Sequence, residues 1–161
     1  MQEKQTRDQG DLADLSRVPP TGRLLGVDPG TKRIGVAITD DLRISTRALD
    51  VITRTSWKRL LLDIERLIAK FDAKGLVIGL PLESDGGESA MSLEARSMAG
   101  KFALSLQIPV FFQDERNTSY EAKSRLWGEG LTLAEAKART DSTAASIILA
   151  DFLERIESPT G

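Results

Sequence analysis

The pattern of hydrophobic and polar residues first becomes regular at Leu24. Residues 24–28 form a short apolar run that ends in Asp28-Pro29-Gly30-Thr31, and the apolar residues of 34–38 then alternate with smaller or polar ones. A period of two is typical of strands that bury one face. We predict two strands paired as a hairpin, and a third strand over residues 44–53.

A helix is predicted after these strands, because the hydrophobic period changes from two to 3.6. Ser56 is available as its N-cap, and Gly75 is a stop signal just beyond its end. The residues that fall on one stripe of this helix are Trp57, Leu60, Leu61, Ile64, Leu67, Ile68 and Phe71.

Strands and helices then alternate along the rest of the chain. Residues 76–82 are predicted as a buried strand, residues 91–106 repeat at helical spacing, and residues 110–112 form another apolar strand. Thr118 and Glu121 have the spacing of a capping box, which predicts a helix to about Trp127. A last helix is expected after the polar stretch that ends at Thr140. A hairpin followed by strand–helix alternation predicts an α/β fold with a mixed five-stranded sheet and helices on both faces.

The first part of the chain lacks any sustained hydrophobic period. Residues 1–22 are polar and charged, with Gly10, Pro19 and Pro20, which predicts a disordered N-terminal leader. One domain is expected over residues 23–157, since 161 residues that are 40% hydrophobic fit a single domain. No apolar run reaches the roughly 18 residues that a membrane-spanning helix needs. We therefore expect a cytoplasmic protein without a membrane partner.

The chain contains no cysteine and no histidine. Ser-His-Asp triads, Cys-His pairs and almost all zinc sites are therefore excluded. A site built from carboxylates suits hard cations such as Mg²⁺ or Mn²⁺, which serve chiefly in phosphoryl chemistry. The composition favours a phosphate-containing substrate.

Acidic residues stand at the ends of two predicted strands. Asp28 follows the first strand, and Asp114 and Glu115 follow the strand at 110–112. Reactive groups of open α/β sheets lie at the carboxyl ends of strands. Asp141 would open the last helix on the stripe that faces the sheet. Together, three acids could hold two cations about 4 Å apart and cleave a phosphodiester bond.

Each acid also has a structural explanation. Asp28 could shape a turn with Pro29 and Gly30, and Asp141 could serve as a helix N-cap. Asp114 and Glu115 point to opposite faces of a strand, so periodicity alone does not choose between them.

Other residues are candidates for contact with a substrate phosphate. Gly30, Thr31 and Lys32 follow Asp28 in a turn whose N–H groups and ammonium could hold a phosphate. The basic residues that flank the predicted acids are Arg116, Lys137 and Arg139. The polar residues 83–88 could form a wall of the substrate groove or a plain connector. Because the net charge is −2, nucleic-acid binding would depend on such local basic patches.

Four segments together resemble the YqgF family in order and spacing. They are the run from Leu25 to Ala37, Gly79-Leu80-Pro81-Leu82, Asp114-Glu115-Arg116 and Asp141-Ser142-Thr143-Ala144-Ala145. The resemblance implies a ribonuclease H-like fold and a nuclease that trims the 5′ end of precursor 16S rRNA. It also implies that the metal-binding acids are Asp28, Glu115 and Asp141, with two Mg²⁺ or Mn²⁺ ions expected.

Two other functions remain open at this point. A Holliday junction resolvase would act on branched DNA, normally as a symmetric dimer, and Asp28-Pro29-Gly30 is closer to the RuvC style. A non-catalytic nucleic-acid-binding module would tolerate loss of the acids. The expected partner is nucleic acid, structured RNA or branched DNA, and the protein is expected to be a monomer or homodimer. An actin-like ATPase, whose fold opens with a similar pattern, is disfavoured, since 161 residues leave no room for the second lobe that such folds need.

Overall fold

The computed structural model describes the backbone of residues 14–115 and 133–157 and the side chains of 14–115 and 143–157. Within these ranges the strands are β1 (Leu24–Asp28), β2 (Arg33–Thr39), β3 (Thr46–Ala48), β4 (Ile52–Thr53), β5 (Gly75–Leu80) and β6 (Val110–Asp114). The helices are α1 (Trp57–Phe71), α2 (Ala90–Ser105) and α3 (Leu133–Glu157), and Leu15–Arg17 form a short 3₁₀ turn.

The strands form one mixed sheet in the order β3-β2-β1-β5-β6. Strand β2 runs antiparallel to β1 and β3, whereas β1, β5 and β6 are parallel. The predicted hairpin and the mixed sheet with helices on both faces are confirmed. The carboxyl ends of β1, β5 and β6 meet at one edge of the sheet, which we call the upper edge.

The third strand predicted over residues 44–53 is instead two short strands. Strand β3 pairs with the end of β2, with Ala37 opposite Ala48, and β4 pairs with its start, with Ile34 opposite Ile52. The two registers differ by one residue, so the intervening segment carries an extra residue that interrupts the ladder.

Strand alternation divides the hydrophobic core between the two faces of the sheet. On β1, Leu25 and Val27 belong to the cluster with α1 and α2, whereas Leu24 belongs to the cluster with α3. All six residues of β5 are buried, as expected for a parallel strand covered on both faces. The α3 cluster also contains Ala37, Val77, Phe111, Ala145, Ile148, Leu149, Phe152 and Leu153.

Helix α1 begins as predicted but ends by a different signal. The Ser56 side chain accepts a hydrogen bond from the Arg59 backbone at 3.2 Å, as an N-cap does. The helix ends at Asp72, which takes the left-handed conformation at φ 51°. Gly75 is not the stop signal but the first residue of β5, where a Cβ would lie 2.9 Å from Leu24 Cδ2.

Helix α3 is longer than predicted. It begins at Leu133 rather than after Thr140, so Asp141 lies inside the helix and is not its N-cap. The additional residues are rich in Ala, Leu, Glu, Lys and Arg, which are strong helix formers. The helix predicted from Thr118 to about Trp127 lies outside the described residues.

Residues 14–22, which fall within the predicted leader, contain the 3₁₀ turn. Its Asp14 cap accepts a hydrogen bond from the Ser16 backbone, and Leu15 and Val18 pack against the α3 cluster. Among the residues that the structure describes, no helix is both long and apolar enough to cross a membrane.

Candidate active site

Strand alternation places Asp28 on the face of the sheet that α3 covers. Leu24 packs in the α3 cluster, and a Cβ on Gly26 would lie 2.5 Å from Leu149 Cγ. Asp28 is the next residue of this series and ends β1, half-buried. It therefore lies at the upper edge on the α3 face.

The same alternation places Glu115, not Asp114, on that face. Phe111 packs in the α3 cluster, and the Gln113 side chain accepts a hydrogen bond from Arg155 of α3 at 3.2 Å. Glu115 is next in this series, and its backbone N–H donates to the Leu80 carbonyl at 3.1 Å. The structure thus assigns Glu115 to the α3 face, a choice between Asp114 and Glu115 that periodicity alone left open.

Gly79 on β5 makes room for the Glu115 carboxyl between β1 and β6. A Cβ at position 79 would lie 3.0 Å from Glu115 Cδ and Oε2 and 2.5 Å from Ile148 Cδ1. Only a residue without a β-carbon leaves this space free. Sequence reasoning did not assign Gly79 this role, although a glycine inside an apolar strand indicates a close approach.

The two carboxyl groups meet in a buried setting. Glu115 is only 7% exposed and shares a side-chain hydrogen bond with Asp28. Burial, followed by the negative charge of Asp28, that hydrogen bond and the charge of Asp114, raises the pKa of Glu115 to about 10. Without a cation, Glu115 is therefore protonated near neutral pH and donates to Asp28. Its Oε2 atom is buried and has no hydrogen-bond partner among the described groups.

This pair fits a hard divalent cation. A cation would offset the repulsion between the carboxylates and would occupy the free coordination capacity of Glu115 Oε2. Within the described residues, no group of three or more acidic side chains that could hold a metal ion is found. The third predicted ligand, Asp141, lies on α3 one turn before Ala145, and its side chain lies outside the described part.

The turn after Asp28 is narrow, and hydrogen bonds from Arg54 hold it in place. A Cβ on Gly30 would lie 2.3 Å from the Arg33 carbonyl oxygen, so this position requires glycine. The Arg54 guanidinium donates to the Gly30 carbonyl at 3.1 Å, and the Arg54 backbone N–H donates to the Lys32 carbonyl at 2.9 Å. Thr31 and Lys32 are exposed beside Asp28. No periodic pattern or motif marks Arg54 in the sequence.

The remaining candidates are less completely described. Residue Arg116 and the side chains of Lys137 and Arg139 lie outside the described part of the structure. The loop of residues 83–88 is an exposed turn in which the Glu83 and Gly87 backbones are hydrogen-bonded at 2.8 Å.

Comparison with known proteins identifies relatives along nearly the whole chain. A family model described as "RuvX: Holliday junction resolvase" matches residues 22–155. A protein of Anaeromyxobacter dehalogenans named "Putative pre-16S rRNA nuclease" is 37% identical over 83% of this chain and 97% of its own. Proteins of the same name from Syntrophus aciditrophicus and Synechococcus elongatus are 37% and 33% identical, over 83% and 84% of this chain and 89% and 91% of their own.

Solved structures show the same fold at low sequence identity. RuvC of T. thermophilus in complex with Holliday junction substrate has a TM-score of 0.52 and 15% identity over 83% of this chain and 95% of that chain. The yeast mitochondrial Holliday junction resolvase Ydc2 has a TM-score of 0.50 and 16% identity over 98% and 85%. The ribonuclease H-like fold is therefore confirmed. With the family match and the curated relatives, it follows that the chain belongs to the RuvX (YqgF) family of nucleases.

Proposed function

We propose that this protein is a divalent-metal-dependent nuclease that processes the 5′ end of precursor 16S rRNA, with Asp28, Glu115 and Asp141 as its metal ligands. The observation that carries the proposal is the Asp28–Glu115 pair at the upper edge, in which Glu115 is buried and its Oε2 atom has no hydrogen-bond partner among the described groups. The names of the curated relatives support the RNA substrate. We place this activity in the cytoplasm, with structured RNA as the substrate.

The protein groups have separate roles in phosphodiester cleavage. Asp28 and Glu115, with Asp141 from α3, would hold Mg²⁺ or Mn²⁺, two ions in the full site. When bound, the ions supply an activated water and stabilise the leaving oxygen. Because its pKa is raised, Glu115 would have to release its proton to solvent in order to hold a cation. Thr31 and Lys32 would contact a substrate phosphate, a role supported by their exposure and their position directly after Asp28.

Arg54 and helix α3 support the proposed site from two sides. Arg54 fixes the turn through the Gly30 and Lys32 carbonyls, so the exposed phosphate-contacting residues are held in one position. Leu149 and Ile148 of α3 pack over Gly26 and Gly79, so they line the α3 face of the sheet next to the Glu115 carboxyl. Arg116, Lys137 and Arg139 remain proposed contacts to the nucleic-acid backbone.

Cleavage of branched DNA is the second candidate function. The description of the matching family as Holliday junction resolvase favours it. A resolvase would act as a symmetric dimer on paired strands, whereas rRNA processing is compatible with a monomer or a homodimer.

Side-by-side cleavage assays distinguish the two substrates. Purified protein with Mn²⁺ is given precursor 16S rRNA and a four-way DNA junction, and we expect cleavage of the RNA. Cleavage of the junction alone would reverse the assignment. The Asp28→Asn variant should lose at least about a hundredfold in rate, because an amide is a neutral and poor ligand for these cations.

The matched control is Asp72→Asn, the same chemical change at the exposed end of α1. Asparagine also tolerates the left-handed conformation there, so this variant should cleave normally. Equal cleavage by Asp28→Asn and Asp72→Asn would refute the proposed site.

A further inference from the structure

A groove runs along α1 on the side of the sheet away from α3. It has a volume of about 590 Å³ and lies between residues 49–55 and the α1 residues from Arg59 to Phe71. Helix α1 has 15 residues and is therefore about 22 Å long. It starts near the upper edge, where β4 pairs with the beginning of β2, and ends beside Gly75 at the opposite edge.

The upper end of this groove adjoins the turn after Asp28, whose carboxyl group lies on the opposite, α3 face of the sheet. Thr53 and Thr55 line the groove, and Arg54 between them donates to the Gly30 carbonyl in the turn after Asp28. A polymer bound in the groove would therefore leave or enter at the turn that carries Thr31 and Lys32.

The walls of the groove carry more cations than anions. Arg59 and Arg66 share a single carboxylate, Asp63, at 3.3 and 3.9 Å. Lys70 lies further along the same helix, and Asp50 is the other acid in the lining. The excess of positive charge along α1 suits a ligand with repeated negative charges.

At the lower end of the groove the Phe71 ring is approached by three cations, Lys70 from the groove lining and Arg23 and Arg47 from beside it. Arg23 and Arg47 each lie 5.8 Å from the centre of the Phe71 ring, and Lys70 lies 5.4 Å from it. Arg23 is paired with Asp41 at 3.4 Å, but Arg47 and Lys70 are exposed and have no carboxylate partner among the described residues. Cations that converge in this way repel one another, and an anionic ligand would offset that repulsion.

We infer that this groove binds a single-stranded flank of the nucleic-acid substrate, leading from the active-site turn to Phe71. Basic side chains contact the sugar–phosphate backbone, and the apolar floor, which includes Leu49 and Leu67, accommodates the bases. The volume is in the range that encloses a small organic ligand, which suits one strand and not a duplex. The inference rests on the proposed function for the identity of the substrate.

The test compares charge reversals at two lysines of α1. Lys70→Glu lies in the groove, whereas Lys58→Glu makes the same change at an exposed position outside its lining. Affinity for a fluorescent single-stranded RNA of about 15 nucleotides is measured in EDTA, so that no cleavage occurs. We expect Lys70→Glu and Arg47→Glu to weaken binding several-fold, and Lys58→Glu to weaken it much less.

Salt dependence provides a second readout of the same contacts. Each lost phosphate contact should reduce the slope of log affinity against log salt by about 0.7 for a single strand. Equal affinities and slopes for the Lys70 and Lys58 variants would overturn the inference. The inference would also be overturned if an acidic peptide bound the wild-type protein more tightly than the RNA does and the Lys70→Glu substitution abolished that binding. All variants are first shown by thermal unfolding to be folded.

The same assay separates this inference from the proposed active site. Asp28→Asn leaves the groove intact, so its binding of the single strand in EDTA depends on the groove alone. If the wild-type protein binds the single strand in the groove but shows no metal-dependent cleavage, the proposed function is rejected and the groove inference is retained. If the wild-type protein cleaves normally but the Lys70 and Lys58 variants bind the single strand equally well, the groove inference is rejected and the proposed function is retained.

Discussion

At the scale of single residues, Glu115 shows how a proposed metal ligand can lower the stability of the metal-free protein. Its carboxyl group is nearly inaccessible to solvent and lies beside Asp28, so its ionisation is costly until a cation is present. In the unfolded chain the same group ionises at the ordinary pKa of 4.5, whereas folding raises this pKa to about 10. Between these values the folded state binds more protons than the unfolded state. The metal-free protein therefore loses stability as the pH rises through this window.

Replacement of Glu115 by glutamine should stabilise the metal-free protein while abolishing cleavage. The amide cannot ionise, so the loss of stability between about pH 5 and about pH 9 should become smaller. The melting temperature in EDTA, measured across this range, checks the expectation. Glu65→Gln on the exposed face of α1 is the control and should leave the pH profile unchanged. A wild-type profile in Glu115→Gln would show that Glu115 ionises normally.

A second residue-scale prediction concerns Gly79. In Gly79→Ala, the added methyl group must displace Ile148 and the Glu115 carboxyl. We expect a loss of about 1–3 kcal/mol in the free energy of unfolding, which is typical of overpacking, together with weaker metal-dependent cleavage.

Gly100→Ala is the matched control for this substitution. Gly100 lies in α2, and a Cβ there would meet nothing within 4 Å. Removing a glycine from a helix interior should stabilise the protein by about 0.5–1 kcal/mol. Urea unfolding of both variants provides the comparison. If Gly79→Ala were as stable as Gly100→Ala, the space at position 79 would not be restricted.

At the scale of elements, one arginine links three parts of the chain. Arg54 follows β4, donates to the Gly30 carbonyl in the β1–β2 turn and pairs with Glu94 of α2 at 2.5 Å. The turn therefore takes its position partly from a helix on the far face of the sheet.

Arg54→Ala should release this turn. We expect cleavage to fall about tenfold or more, because loss of orientation near the reacting phosphate is costly. Mn²⁺ binding should persist, since Asp28 and Glu115 remain. Arg96→Ala is the control, because Arg96 also pairs with an acid near α2, Glu88, without reaching the turn. Cleavage rates and Mn²⁺ titrations of the two variants decide the matter, and equal rates would show that Arg54 has no positioning role.

Elements with a strong hydrophobic period could be predicted from the sequence, and those with weak signals could not. The alternation at 24–28 and 34–38 and the stripe from Trp57 to Phe71 correspond to β1, β2 and α1. The early start of α3 was missed because Thr140, Asp141 and Ser142 resemble a capping sequence. The division of residues 44–53 into two strands depends on a one-residue shift in pairing with β2, which the local sequence does not encode.

At the scale of the whole molecule, the candidate site depends on which face each strand end presents. The sequence placed Asp28 and the Asp114-Glu115 pair at strand ends, and the parallel order of β1, β5 and β6 brings these ends together. The choice of Glu115 over Asp114 required the resemblance, because faces are known only when helices are packed on the sheet. The roles of Gly79 and Arg54 were missed for the same reason. Gly79 faces Glu115 and Arg54 contacts Gly30, and both contacts join elements that are distant in sequence.

The closeness of α3 to the sheet has a consequence for enzyme evolution. Leu149 and Ile148 sit over Gly26 and Gly79, where a methyl group would have to overlap them. Asp141 lies two turns earlier on the same helix, so the close approach of α3 at Gly26 and Gly79 helps to position the backbone of the proposed third ligand. An alanine at Gly26 would push Leu149 and with it α3 away from the sheet, so we expect activity to fall although all three acids are retained.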